Sequence, residues 1–169
     1  MTRGTGELLL GEWACLGVVA VAPTHGFAVA QRLRPEGDLG RVWSLSRALT
    51  YRALDQLVAR GHLVASGSEP GIAGGQRTVL TITPQGRMLL EAWLAEPVPH
   101  LRDLRSELLL KLLLSHENGV DPTPLLTRQR DVVQQMANAL AAPNTDDVVA
   151  IWRHEASQAA LRFVDRLLG

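Results

Sequence analysis

From Glu7 to Ala22 the chain is apolar around a whole helical wheel, interrupted by Glu12, which predicts a buried helix stopped by Pro23. Apolar positions then recur at Phe27, Ala30 and Leu33, with Thr24 placed to cap a second helix that "RPEGDLG" ends. A third helix is predicted within "VWSLSRALTYRALDQLVARGHLV", residues 42–64. Ser46 suits its N-cap, Leu54, Leu57 and Val58 form an inward stripe, and Gly61 stands just past the end, where a left-handed residue is wanted. That stripe leaves Ala48, Tyr51, Arg52, Asp55 and Ala59 pointing outward. Next, "HLVASGSE" and "QRTVLTIT" have strand character and flank "PGIAGG", predicting a hairpin that turns through Pro70, Gly71, Gly74 and Gly75. "TPQGRMLLEAWL" opens a fourth helix, with Thr83 as cap and Pro84 in the first turn. Residues 1–6 read as a frayed terminus.

Pro97 and Pro99 mark a boundary, dividing the chain into residues 1–95 and 96–169. Everything beyond it is patterned as helix. "LRDLRSELLLKLLLSHE" is apolar nearly all round, and "TPLLTRQRDVVQQMANALAA" places Leu126, Val133, Met136 and Leu140 on one side. "TDDVVAIWRHEASQAALRFVDRLL" aligns Val149, Trp152, Ala156, Ala159, Phe163 and Leu167. A stripe of that length needs a partner surface, either within the protomer or across a two-fold axis. With Leu108 and Leu112 of the first of these three segments, it makes the candidate dimerisation set.

Three helices followed by a hairpin with a Gly-rich tip is the order of a winged helix-turn-helix. The expected fold is therefore mainly α with a small β-hairpin, plus an α-helical C-terminal dimerisation region. A B-DNA major groove admits one α-helix, whose outward side chains meet base edges and phosphates. Arg52 can fork onto guanine or phosphate oxygens, and the Tyr51 hydroxyl can donate to phosphate. Asp55 can accept from a cytosine amino group, while Ser46 and Arg47 bring a cap and a charge to the positive end of the helix. Gln76 and Arg77, leaving the hairpin, can reach a phosphate or the minor groove. Taken singly, each feature also fits an ordinary surface helix or hairpin. Their order favours double-stranded DNA as the partner.

Composition changes this picture little. The 169 residues are 46% hydrophobic and 20% charged, a globular balance, with seventeen basic residues against seventeen acidic. The first 95 residues hold nine arginines to seven carboxylates and the rest eight basic to ten acidic, too mild a polarity to name a partner. The one cysteine, Cys15, excludes an intrachain disulfide and fits a reduced, cytoplasmic protein. No secretory leader or membrane-length apolar segment is expected, because Glu7 and Glu12 break the first apolar run. No phosphate-binding loop, Cys pair or His-Glu-x-x-His is present, and the five histidines lack zinc-ligand spacing. The chain is expected to be no enzyme and to need no cofactor or metal.

Between residues 13 and 95 the sequence resembles the PadR family of transcriptional regulators. "CLGVVAVAPTHGFAVAQRL" is similar to that family's apolar helix and Pro-x-His-Gly-aromatic start, and "VWSLS" to its Trp-x-x-Ser lead-in. "TYRALDQLVARGHLV" is similar to its Leu-Tyr-Pro-Ala-Leu helix, and "GGQRTVLTITPQGRMLL" to its wing and following helix. "RDLRSELLLKLLL" resembles the start of its helical C-terminal region. The resemblance implies a homodimeric, ligand- or stress-responsive regulator, usually a repressor, that binds inverted repeats. By position, His25 and Gly26 match that family's His-Gly, Trp43 its tryptophan, Ser46 and Tyr51 its recognition-helix serine and tyrosine, and Arg77 its wing basic residue, and the resemblance adds His25 to the candidate DNA-binding residues. This chain departs from it at Leu49-Thr50-Tyr51-Arg52, where the family has Ser-Leu-Tyr-Pro, and in a wing poor in basic and tyrosine residues.

Trp93 and Trp152 are candidates to line a cavity for a small aromatic ligand near a dimer axis, as aromatics do in some members of that family. The alternative is that both are core residues. Two other functions compete with the main reading: a winged-helix module that binds protein, and a multidrug-responsive winged-helix regulator of another family.

Overall fold

The computed structural model describes residues 7–71, 75–140 and 146–169. The expected frayed terminus and Gly74 of the hairpin tip lie outside them. The chain divides into two compact units. One runs to Trp93 and takes in Glu117–Gly119; the other holds Leu94–His116 and Val120–Gly169.

The N-terminal unit is built on α1 (Leu10–Val21), in which every residue from Gly11 to Ala20 is buried. Glu12, the apparent interruption, is only 4% exposed and is used locally. Its Oε2 accepts the Leu9 N–H at 2.6 Å, supplying a partner for a backbone donor at the helix start, and lies 4.0 Å from the Arg60 guanidinium. Cys15 is fully buried, and burial pushes its thiol pKa up to about 12, so it packs rather than reacts.

After Pro23 comes a short strand that the sequence pattern did not reveal, β1 (Thr24–His25). It leads into α2 (Gly26–Leu33), whose cap is His25 rather than the expected Thr24: His25 Nδ1 accepts from Ala28 N–H at 3.1 Å. Helix α3 (Arg47–Ala59) begins and ends as the sequence dictates. Ser46 Oγ accepts from Leu49 N–H, and Gly61 takes the left-handed conformation at φ 74°. The inward face is Thr50, Ala53, Leu54 and Leu57. Val58 is 39% exposed, not part of the stripe, because α3 presents Ala53 and Thr50 to the core instead. Thr50 tolerates full burial since its hydroxyl donates to the Ser46 carbonyl at 3.0 Å.

Strands β2 (Leu63–Pro70) and β3 (Gln76–Ile82) pair antiparallel, and β1 pairs with the other edge of β3, giving the order β1-β3-β2. A bulge between Ala65 and Gly67 breaks the register of the wing. Only Leu63 of β2 is buried, so its far half projects into solvent. Helix α4 (Pro84–Ala95) starts as expected: Thr83 Oγ1 accepts from Gly86 N–H and donates to the Gly61 carbonyl.

His62, between α3 and β2, is 9% exposed with an Nδ1 that has no partner. Burial, reinforced by the Arg60 charge, holds its pKa below the ordinary 6.5. The unfolded chain therefore takes up the proton first as pH falls. Stability measured by urea unfolding is expected to be insensitive to this group above pH 6.5 and to decline below it. His62→Gln should remove that part of the acid slope; an unchanged slope would assign it to other groups.

The C-terminal unit begins with a segment fixed by Gln129, which is fully buried and brackets Val98: its amide oxygen accepts from Val98 N–H and its NH2 donates to Val98 C=O. A 3₁₀ turn (Leu101–Asp103) and a π turn (Leu104–Leu108) then lead into α5 (Leu109–Glu117). Helices α6 (Thr123–Ala139) and α7 (Val148–Leu168) pack on one another. The core joins Val98, Leu104, Leu108, Leu125, Leu126, Val133 and Val164. Lys111 is buried too, its ammonium 2.6 Å from the Glu96 carbonyl and 3.2 Å from the Glu107 carboxylate.

Candidate nucleic-acid interface

The outward face of α3 is the one the sequence assigns: Ala48, Tyr51, Arg52, Asp55 and Ala59 are all exposed. Ser46 and Arg47 at its amino end are exposed as well, and Leu49, 51% exposed, extends the face with an apolar side chain. Ser46 Oγ accepts from Leu49 N–H, which orders the helix N-terminus and leaves the hydroxyl proton to donate. Tyr51 stands out of α3 over Gly26, where an added Cβ would lie 2.8 Å from its ring. The His-Gly pair therefore has two structural tasks, a cap from His25 and a slot for the tyrosine from Gly26. With Nδ1 capping α2, His25 is half-buried.

From the wing, Gln76 is exposed at the start of β3, while Arg77 is half-buried and lies opposite Glu69 in the ladder. Arg77 does not extend along the wing alone. Its guanidinium carbon sits 4.6 Å from the centre of the Phe27 ring. The Arg47 guanidinium approaches the same ring at 5.9 Å and the Tyr51 ring at 5.6 Å. Recognition helix, wing and the start of α2 thus meet at one aromatic side chain. The sequence pattern counted Phe27 among inward positions, but the core face of α2 is Gly26, Val29, Ala30 and Leu33, and Phe27 is half-buried. The only signal for it was its place after His-Gly.

Helices α1, α2 and α3 followed by the three-stranded sheet, with α3 exposed beside a projecting β2–β3 ribbon, make a winged helix. Residues 15–92 match the model of the Transcriptional regulator PadR-like family. This segment is a PadR-like domain. No curated protein matches the chain in sequence. Among solved structures it is similar to Bacillus subtilis PadR in complex with operator DNA (18% identity, 94% of this chain and 97% of that one, TM-score 0.49). It is also similar to Bacillus subtilis PadR in complex with p-coumaric acid (17% identity, 95% and 97%, TM-score 0.47). A third is a PadR-like transcriptional regulator from Bacillus cereus (16% identity, 94% and 95%, TM-score 0.41).

Trp93 lies in the N-terminal unit. It is 7% exposed and stacks face to face on Trp13, ring centres 4.7 Å apart, which makes it core. Trp152 belongs to the C-terminal unit and is 71% exposed. It borders a cavity of about 980 Å³ together with Met136, Leu140, Phe163, Arg105 and Arg153. The dimerisation set also divides. Leu108, 1% exposed, belongs to the unit's own core, and Leu112 is half-buried against the same cluster. Val149, Trp152, Ala159, Phe163 and Leu167 are exposed and Ala156 is half-buried, because α7 turns Ser157 and Val164 inward instead. Among the described residues no helix is long and apolar enough to cross a membrane, and no three His, Cys, Asp or Glu side chains are grouped to hold a metal.

Proposed function

We propose that the protein is a cytoplasmic transcriptional repressor that binds an inverted-repeat operator as a homodimer. The observation carrying this reading is the exposed Tyr51–Arg52–Asp55 face of α3, flanked by Arg47 and the wing's Arg77 on one side of a PadR-like domain. One helix reads only a few base pairs. Two copies about 34 Å apart, one turn of duplex, read a two-fold operator. The apolar outer face of α7 supports pairing through the C-terminal unit.

The cavity beside Trp152 is proposed to take a small apolar or aromatic effector. Its lining is largely aliphatic and aromatic with guanidinium groups at Arg105 and Arg153. An effector releases DNA only by binding the two dimer arrangements unequally.

Selection of bound fragments from random duplex DNA is the direct test. A palindrome whose affinity falls steeply with salt is the expected result. Failure to enrich any duplex would favour a protein-binding module instead. Release of that duplex by one of a panel of aromatic acids and planar dyes would support the effector, and no release by any would remove it.

A further inference from the structure

We infer that Phe27 is a positioning residue for DNA binding: its ring holds Arg47 of the recognition helix and Arg77 of the wing together as one phosphate-binding pair. The inference rests on the DNA-binding reading above. Two guanidinium groups of like charge lie 5.9 and 4.6 Å from the centre of a single ring. Among the described residues neither forms an ion pair with a carboxylate, although Glu69 stands opposite Arg77 in the ladder; what each does meet is the face of the ring. An aromatic quadrupole attracts a cation without neutralising it. Both charges therefore stay available to an anion that arrives from solvent. A carboxylate in the same place would satisfy the arginines and weaken them as phosphate ligands.

The surroundings agree with a positioning role. Arg77 also passes close to the wing backbone, where a Cβ on Gly71 would lie 3.2 Å from its Nε. Arg47 also leans on Tyr51, itself seated on Gly26. The His25 ring stands 6.3 Å from Phe27 at 42°, closing the flank of the cluster. Phe27 meanwhile carries little of the core of α2, which Val29, Ala30 and Leu33 supply. Pre-ordering two long side chains lowers the conformational entropy lost when they grip the backbone of a duplex. It also ties the wing to the recognition helix, so that both engage in one register.

The test is a set of variants titrated against the duplex selected from random sequence, with melting temperatures recorded in parallel. Phe27→Leu keeps apolar bulk and removes the quadrupole, and should weaken binding by about 5- to 30-fold. Phe27→Tyr and Phe27→Trp should stay within about 2-fold of wild type, since both rings retain the negative face. In a protein already carrying Arg47→Ala and Arg77→Ala, Phe27→Leu should change affinity by less than about 2-fold, an outcome that a merely structural role would not give. Should Phe27→Leu lower the melting temperature, Phe27→Met takes its place in the same cycle. An aliphatic variant that binds as tightly as wild type, or one that weakens binding equally with and without the two arginines, would overturn the inference. Wild-type protein that binds no duplex would instead remove the DNA reading, and this one with it.

Discussion

Trp152→Glu is expected to sediment as a monomer at concentrations where the wild type is a dimer, and to lose operator affinity by about 100-fold or more. The reasoning begins with what the substitution does not disturb. Trp152 is 71% exposed in the single chain, so a glutamate there removes little packing from the protomer. If the outer face of α7 is the interface, the same change buries a carboxylate against Ala156, Ala159 and Phe163. Two-fold symmetry doubles the insertion. An unpaired buried charge of this kind costs several kcal/mol, about 3–5 for a broken buried pair, and a two-fold interface meets it twice. The affinity loss follows because a monomer engages one half-site and forfeits the other. Val164→Ala is the control. Val164 is fully buried in the unit's own core, so its truncation should lower the melting temperature and leave association intact. A Trp152→Glu protein that remains dimeric would move the interface away from α7.

Arg52→Ala should weaken operator binding by about 1–3 kcal/mol, roughly 5- to 150-fold, and relax preference at one base pair while leaving the melting temperature unchanged. The second half of that expectation comes from the fold. Arg52 is exposed in mid-helix, and the residues that fix α3 are elsewhere: the Ser46 cap, the buried Ala53, Leu54 and Leu57, and Gly61 at the exit. The first half comes from position. Arg52 stands where the PadR family has proline, so here the recognition helix carries an added fork of donors. Tyr51→Phe should cost less, since the ring remains seated over Gly26 and only the hydroxyl is lost. Selection repeated with Arg52→Ala reads out the specificity. An unchanged operator bound at unchanged affinity would place Arg52 outside the interface.

The boundaries of α3 and α4 were legible because they are set within a few residues of chain. Ser46 reaches the amide three residues on, Gly61 takes a left-handed φ that its neighbours would resist, and Thr83 with Pro84 opens α4 by the same local chemistry. Hence the sequence of helices and strands, the exposed Tyr51–Arg52–Asp55 face and the winged-helix fold could be read before any coordinates. Two features could not. β1 is two residues long and exists only because β3 has an unpaired edge to offer, a fact of pairing across 55 residues of sequence rather than of Thr24 and His25. Phe27 has helical spacing with Ala30 and Leu33, yet Arg47 and Arg77 arrive beside it from two other elements.

In α7 the pattern gave the right stripe and left its destination open. Tertiary packing turned the helix so that Ser157 and Val164 meet the unit's core and the large apolar residues face outward. It likewise drew Leu108 inward through a π turn and set Trp93 against Trp13 instead of against a ligand. Caps, turns and periodicity are short-range consequences of backbone hydrogen bonding and φ preference, so the sequence by itself determined where each element lies and which of its faces are apolar. Which apolar face is covered, and by what, depends on surfaces brought together from distant parts of the chain, and only the folded molecule decided that.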